Sequence, residues 1–189
     1  MQNLLAKYAH LLVHYCVDIQ EGEKLYVRST TEAEPLIREI YRYALRAGAQ
    51  VEVDLDFREK NRIFLQEAKE AQLKYLPLLQ REAMQHFDAY LYIRAPFNLR
   101  EDQDVDTQKA NIRQTAMKPV SKTYFDRTAT RELKRNLCQY PTVAAAQNAG
   151  MSLEAYEDFI FGACKLHEED PVAAWIEVRK KQQKIVDLL

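Results

Sequence analysis

Glycine is scarce in this sequence, with four among 189 residues: Gly22, Gly48, Gly150 and Gly162. None of them forms a GxGxxG or GxxxxGK(S/T) pattern, in which glycines let the backbone approach a phosphate closely. The remaining candidate for an anion site is residues 29–32, where a helix is predicted to begin after a strand. Glu32 and Glu34 would repel an anion there, so the sequence does not favour a phosphate site.

Three further features are weak or lacking. The net charge is only −1, which gives no indication of a nucleic-acid partner. No window approaches the roughly 20 consecutive apolar residues that span a bilayer, and no basic, then apolar, leader is visible at the start. Cysteine occurs only three times, an odd number at wide spacing, which favours reduced thiols in a cytoplasmic protein over disulfides or a zinc site.

The composition is that of a globular protein, with 47% hydrophobic and 29% charged residues. The chain has the length of one ordinary domain, and it contains no internal repeat, low-complexity segment or linker. We therefore expect residues 1–189 to form a single domain.

Hydrophobic periodicity predicts strands that alternate with helices. This alternation indicates a three-layer α/β fold, with a mostly parallel four-stranded sheet flanked by helices and a helical C-terminal part. The predicted strands are 25–30, 51–55, 88–93 and 137–140. The predicted helices are 3–16, 32–47, two within 58–86 that are separated near Pro77, 107–117, and three after Pro141.

Several helix starts carry explicit capping signals. Asp106, Thr142, Ser152 and Asp170 each precede a helical pattern, and Pro171 takes the first helical position after Asp170. Thr31 and Glu34 also have the spacing of a capping box.

Histidines could ligate a metal or act in proton transfer. His10 and His14 are four residues apart on a helix, the spacing that can place two imidazoles beside one ion, but both are predicted on the solvent side with no HExxH motif. His86 and His167 are isolated near helix C-termini, and we interpret both as surface residues.

Carboxylates and cysteines offer further candidates that the pattern does not favour. Residues 168–170 are acidic at a helix start, where they stabilise the helix dipole, and Asp102 and Asp104 are predicted in a solvated loop. A cysteine nucleophile needs an exposed, activated thiol with a base. The three cysteines are instead interpreted as small buried hydrophobic residues: Cys16, Cys138 and Cys164.

Residues 118–135 form the one basic stretch that contains aromatic residues, Tyr124 and Phe125. Such a mixture can bind single-stranded nucleic acid. Asp126 and Glu132 interrupt it, so a solvated helix face is the favoured interpretation.

Both ends of the chain carry family-specific motifs. These are residues 4–13 and 17–23 near the start, and residues 140–142 (Tyr-Pro-Thr), 149–159 and 169–175 near the end. In order and in residues they resemble the N-terminal domain of the thermophilic-type metalloaminopeptidase family, the group of aminopeptidase T, aminopeptidase S and PepS. The middle of the chain matches that family in pattern more than in residues.

The resemblance implies that the two halves of the full-length enzyme have different roles. Members of the family are about twice as long, and their two-metal site of Glu, His, Tyr and Asp ligands lies in the C-terminal half. None of those ligand positions matches a residue of this chain, so no catalytic, cofactor-binding or metal-binding residue is expected here. Zinc, cobalt or manganese would act in the full-length enzyme.

For this chain, the resemblance implies a non-catalytic domain that shapes access to the active site of a peptide-cleaving enzyme. Its implied partners are its own catalytic domain, a second copy in a homodimer and peptide substrates, with no nucleic acid and no membrane. The loop at residues 95–100 would face the catalytic cavity, and the apolar end of the last helix would pack on that domain or on a partner chain. A stand-alone interaction or small-molecule-binding α/β module remains the alternative.

Overall fold

Four parallel strands form the centre of the molecule, in a computed structural model that describes residues 2–188. They are β1 (Lys24–Thr30), β2 (Gln50–Asp56), β3 (Ala89–Arg94) and β4 (Lys134–Gln139). Their order in the sheet is β2-β1-β3-β4, and every neighbouring pair is parallel. The predicted parallel four-stranded sheet is confirmed. Compared with the predictions, β1 begins one residue earlier, β2 is one residue longer at each end, β3 is shifted by one residue, and β4 begins three residues earlier and ends one residue earlier.

Helices cover both faces of the sheet, as the α/β prediction requires. The α-helices within residues 2–188 are α1 (Gln2–Leu11), α2 (Glu34–Arg46), α3 (Lys60–Glu67), α4 (Glu70–Lys74), α5 (Leu78–His86), α6 (Thr107–Ala129), α7 (Val143–Asn148), α8 (Leu153–Ala163) and α9 (Pro171–Val186). None of these helices is both long and apolar enough to cross a bilayer.

Alternation along β1 divides the sheet into two chemically different faces. Leu25 and Val27 are completely buried in the main core, which also contains residues of α1 and α2. Trp175 of α9 packs against this same core and donates its indole N–H to the carbonyl of Cys164 at 3.0 Å. We call this side the α1/α2 face.

The opposite side, the α5/α6 face, receives Tyr26 and Arg28. A smaller apolar cluster covers part of it: Tyr26, Ala83, Met84, Val120 and Leu133. A third cluster joins α3, α4 and α6 through Leu65, Ala68 and Leu73.

The region 58–86 differs from its prediction, because it holds three helices instead of two. The unexpected break lies at Ala68 and Lys69, whose ψ angles of 137° and 163° are extended. Neither residue is a helix breaker by propensity. Ala68 is buried beside Leu65 and Leu73, so tertiary packing overrides the local helical preference.

The helix predicted at 107–117 is much longer than expected, because α6 continues to Ala129 through Pro119. Proline inside a helix removes one backbone hydrogen bond and usually ends or kinks the helix. Residues beyond it bury apolar side chains against the sheet, among them Val120 and Tyr124. This burial offsets the lost hydrogen bond.

Four of the five predicted caps are confirmed. The side chains of Asp106, Thr142, Ser152 and Asp170 accept hydrogen bonds from backbone N–H groups in the first turns of their helices. The capping box of Thr31 and Glu34 is wrong. Thr30 instead accepts from the N–H of Glu32, and a turn of 3₁₀-helix (Thr31–Ala33) precedes α2.

The helix predicted at 3–16 is helical throughout its described length, but it changes type. After α1, residues Leu12–Cys16 form one π-helical turn. Cys164 is the residue that follows α8.

Candidate functional site

The carboxyl edge of the sheet, where parallel α/β folds usually bind ligands, is closed in this protein. The hydroxyl of Ser29 donates to the carbonyl of Ile93 at 2.9 Å, and that of Thr30 donates to Ala95 at 2.6 Å. The buried hydroxyl of Thr142 donates to the carbonyl of Pro96 at 2.9 Å. The hydroxyls of Ser29 and Thr30 are thus engaged by the end of β3 and by the first residue after it.

The structure brings His10 and His14 together on the exposed surface of the first helix, as predicted. Their ring centroids are 4.7 Å apart, and both rings contact Tyr43 of α2 edge-on. Partial burial and the neighbouring His10 lower the pKa of His14. The pair supplies two imidazoles and no third ligand among the described residues.

The other candidate histidines lie apart from each other. His86 ends α5, 3.5 Å from Glu82 on the preceding turn, and His167 pairs with Asp158 at 3.0 Å. Both are exposed surface residues, as the sequence indicated.

Two of the candidate carboxylates, Asp170 and Asp102, have structural partners. Asp170 caps α9, and Asp102 accepts from the amide of Asn61 at 2.8 Å in an exposed loop. Asp104 is exposed in the same loop.

All three cysteines are half-buried free thiols. Burial, with a contribution from Cys164, raises the pKa of Cys16 to about 11, and burial raises the pKa of Cys138 further. The pKa of Cys164 is also raised, again mainly by burial. Thiols in this condition are poor nucleophiles near neutral pH, which agrees with their interpretation as small hydrophobic residues.

Acidic side chains do converge at one place on the α5/α6 face, but they are neutralised. Asp54 and Asp56 flank Arg28, at 3.6 Å and 3.3 Å from its Nε and Nη2 atoms. Lys60 lies beside both carboxylates, and Tyr26 donates its hydroxyl to Asp54 at 2.8 Å. A two-metal hydrolytic centre needs several unneutralised ligands around one point. Residues 2–188 contain no group of three or more such ligands and do not fit one.

Residues 118–135 were predicted to form one solvated helix face, and this prediction is wrong. The stretch comprises the second half of α6, a turn with Arg131 at φ 62° and the start of β4. Arg127 is largely buried and donates to the carbonyl of Met84 at 2.8 Å, which ties α6 to α5. The stretch therefore does not present a continuous basic surface.

A concave feature lies in part of this region, between the α5/α6 face of the sheet and the helices that cover it. It is a cleft of about 280 Å³. The strands line it with two register rows, Tyr26–Tyr90–Arg135 and Arg28–Tyr92–Leu137. From α6 it receives Met117, Val120, Ser121 and Tyr124, which share one helix face because of their spacing. We call this feature the tyrosine cleft.

Aromatic rings form an ordered array in the tyrosine cleft. Tyr90 stacks on Tyr26 and on Tyr92, with ring centroids 5.7 Å and 6.5 Å apart, and Tyr124 meets it edge-on at 5.8 Å. Burial raises the pKa of Tyr90 to about 12 and that of Tyr26 higher still. These hydroxyls are therefore neutral hydrogen-bonding groups at physiological pH and not bases.

Two arginines contribute positive charge to the cleft in different ways. Arg28 is held by its two aspartates and by the amide oxygen of Gln80, at 3.1 Å and 3.2 Å from its Nη atoms once that amide is oriented to accept. Burial alone would lower the pKa of Arg28, but Asp56, Tyr90 and Asp54 raise it overall. Arg135 donates to the hydroxyl of Tyr124 at 2.9 Å, and no carboxylate within the described chain pairs with it.

The tyrosine cleft was not predicted from the sequence, although a signal was present. β1 and β3 carry aromatic or charged residues at alternate positions, where a fully buried strand would be apolar on both faces. The tyrosines at 26, 90 and 92 and the arginine at 28 show this alternation. The rows join only when the strand register is known.

A parallel sheet in the order β2-β1-β3-β4, covered on both faces by helices, defines a doubly wound α/β domain. The sequence profile of the thermophilic metalloprotease (M29) family matches residues 1–189, and the chain belongs to that family. The family resemblance inferred from the motifs at its two ends is thereby confirmed.

Two known proteins illustrate this similarity. Aminopeptidase 2 of Geobacillus stearothermophilus is 31% identical over an alignment 200 residues long, and the alignment covers 98% of this chain and 47% of that protein. The structure of wild-type AmpT from Thermus thermophilus superposes with a TM-score of 0.78 at 19% identity, over 99% of this chain and 48% of the other. The likeness to AmpT concerns the fold, and this chain spans about half the length of both relatives.

Proposed function

We propose that this chain acts as the non-catalytic N-terminal domain of a metal-dependent, cytoplasmic aminopeptidase. The parent reaction would be the removal of N-terminal residues from peptides by metal-activated water. The domain would shape access to the active site and support dimerisation. The observation that carries the proposal is a family match over residues 1–189 in a domain whose described residues do not fit a two-metal centre.

Exposed apolar side chains support an interfacial role. At the end of α9, Ile185, Val186 and Leu188 are 61%, 60% and 86% exposed. Leu189, the last apolar residue of this group in the sequence, lies outside the described residues. Large apolar side chains grouped on a surface are typical of contacts with another domain or chain.

The loop that follows β3 supports a role in access to the active site. Its start is held by hydrogen bonds from Thr30 to Ala95 and from Thr142 to Pro96, and Ser29 bonds to Ile93 within β3. Phe97 further along packs under the guanidinium of Arg58 at 5.1 Å. A loop fixed in this way could form a stable wall of a neighbouring cavity, which is the role that we assign to residues 95–100.

An activity assay tests the catalytic part of the proposal. We expect purified 1–189 to release no leucine from leucyl p-nitroanilide in the presence of cobalt, zinc or manganese. Full-length Aminopeptidase 2 of G. stearothermophilus, assayed in parallel, is the positive control. Ordinary turnover by the isolated chain would refute the proposal, and so would two tightly bound ions per chain after dialysis.

Sedimentation velocity tests the interfacial part. Paired serine substitutions at Ile185 and Leu188 should weaken self-association or docking to a separately expressed C-terminal half. Leu79→Ser is a matched control, because Leu79 is 77% exposed on α5, away from that end. Equal effects of the control and the paired substitution would contradict this assignment.

The alternative function is a stand-alone interaction or small-molecule-binding module. The tyrosine cleft favours a small-molecule-binding module over an interaction module, because small ligands usually bind in concave, partly apolar surfaces of this kind. Sequencing the gene beyond codon 189 discriminates the two functions. A continuation rich in His and Glu would support the aminopeptidase, and an immediate stop codon would support the module.

A further inference from the structure

We propose that the tyrosine cleft binds a small aromatic carboxylate of about the size of one amino acid, with Arg135 as the group that pairs with the carboxylate. This function would be separate from peptide cleavage and does not require a metal ion.

The charge of the cleft determines the sign of the ligand. Its thirteen lining residues include two arginines and no aspartate or glutamate. Arg28 is already compensated by Asp54 and Asp56, which lie beyond the lining. Arg135 retains N–H groups that are not used by Tyr124, and a guanidinium binds a carboxylate through paired hydrogen bonds.

The walls determine the shape of the ligand. The near-parallel rings of Tyr26, Tyr90 and Tyr92 form a row along the sheet, and Tyr92 at its end is 40% exposed next to Leu137, which is 58% exposed. Aromatic rings associate well with such an array in offset or edge-on contact. A volume of about 280 Å³ lies just below the range of drug-sized pockets, so the cleft suits a single aromatic residue and not a nucleotide.

Pre-organisation explains why Arg135 is suited to this role. The guanidinium carbon lies 5.7 Å from the centroid of the Tyr124 ring, and one of its N–H groups is bonded to that hydroxyl. Both contacts restrict the side chain before a ligand arrives. Less conformational entropy is then lost on binding.

The test is a titration of the isotope-labelled chain with N-acetyl-phenylalanine, followed by two-dimensional NMR. The matched ligand is N-acetyl-phenylalanine amide, which has the same ring and no negative charge. We expect dissociation constants of about 1 mM for the acid, in line with its small size, and at least about tenfold weaker binding of the amide. The shifted resonances should include Tyr90, Tyr92 and Met117.

Variants assign the interaction to one side chain. Arg135→Gln should weaken binding of the acid by about tenfold or more, whereas Arg179→Gln, an equal loss of charge on exposed α9, should leave it unchanged. Leu137→Asp places a carboxylate at the cleft and should abolish binding of the acid, which provides a second test if Arg135→Gln is poorly folded by circular dichroism.

Four results would overturn the proposal. The first three are equal binding of acid and amide, unchanged binding by Arg135→Gln, and resonance shifts confined to residues outside the cleft. Concentration-dependent broadening of cleft resonances without ligand would also overturn it, because this face would then be an interface between copies of the chain. Absence of peptidase activity would affect none of these outcomes.

Discussion

Replacing Thr142 by valine should loosen the closed carboxyl edge of the sheet while preserving the shape of the side chain. Thr142 is 4% exposed, and its hydroxyl has two roles: it donates to Pro96 at 2.9 Å and accepts from the N–H of Ala145 at 3.3 Å. Loss of a helix cap costs about 1 kcal/mol, and loss of one further hydrogen bond costs about 1 kcal/mol. We therefore expect about 2 kcal/mol of destabilisation, or a melting temperature lowered by about 4–8 °C.

Ser152→Ala is the matched control for this prediction. Ser152 is an exposed cap with a single bond, from the N–H of Ala155 at 3.2 Å, so its removal should lower the melting temperature by only about 2–4 °C. Thermal unfolding followed by circular dichroism measures both shifts, and hydrogen exchange should quicken at residues 97–100 in Thr142→Val alone. The reasoning is refuted if the two variants melt together, or if exchange in this loop does not change.

Three further predictions concern charge and protonation. Arg28→Met should lower the free energy of unfolding by about 2 kcal/mol, because Arg28 lies between two aspartates and each member of the group is only about 30% exposed. The control Arg38→Met should change the urea midpoint little, because the pair of Arg38 with Glu34 is 3.9 Å long and mostly exposed. Because burial and His10 lower the pKa of His14, the unfolded chain binds the proton more tightly than the folded chain. The contribution of His14 to stability is complete above about pH 6.5 and is lost as the pH falls through the folded-state pKa. In His14→Gln the urea midpoint should therefore change less between pH 7 and 5 than in the parent chain, and an equal change in both would contradict the prediction. At pH 8, a pKa of about 11 leaves about 0.1% of Cys16 as thiolate. Labelling by a disulfide reagent should therefore be slow in the native chain and complete for all three cysteines in urea. Rapid labelling of the native chain would contradict the burial of these thiols.

Features of the fold that depend on neighbouring residues could be predicted from the sequence. The caps at Asp106, Thr142, Ser152 and Asp170 were identified because a capping side chain acts within three residues of its own position. The four strands were identified because their apolar runs and flanking turns are local as well. Parallel pairing then followed from the helical connections between them.

Features that depend on distant residues could not be predicted. The continuation of α6 past Pro119 needs the sheet surface that Val120 and Tyr124 cover, and the break at Ala68 needs its contacts with Leu65 and Leu73. The tyrosine cleft needs the register that places Tyr26, Tyr90 and Arg135 side by side, although they lie far apart in the sequence. Local propensity contains none of this information.

The position of the cleft on the α5/α6 face is related to the hydrogen bonding at the carboxyl edge of the sheet. In most doubly wound domains, hydroxyls and backbone N–H groups at the carboxyl edge remain free for a ligand. Here the hydroxyl of Ser29 bonds to Ile93 at the end of β3 and that of Thr30 bonds to Ala95 just after it, so these hydroxyls have a structural role.

The polar character of β1 emerges instead on the α5/α6 face, where Arg28 and Tyr26 meet the tyrosines of β3. Helices α5 and α6 leave Tyr92 and Leu137 partly exposed there. A small ligand that this domain binds on its sheet should therefore approach from the side, across β3 and β4. Because the closed edge and the open side are separated, a substitution such as Thr142→Val can loosen the loop after β3 without altering the cleft, and Arg135→Gln can alter the cleft without loosening the loop.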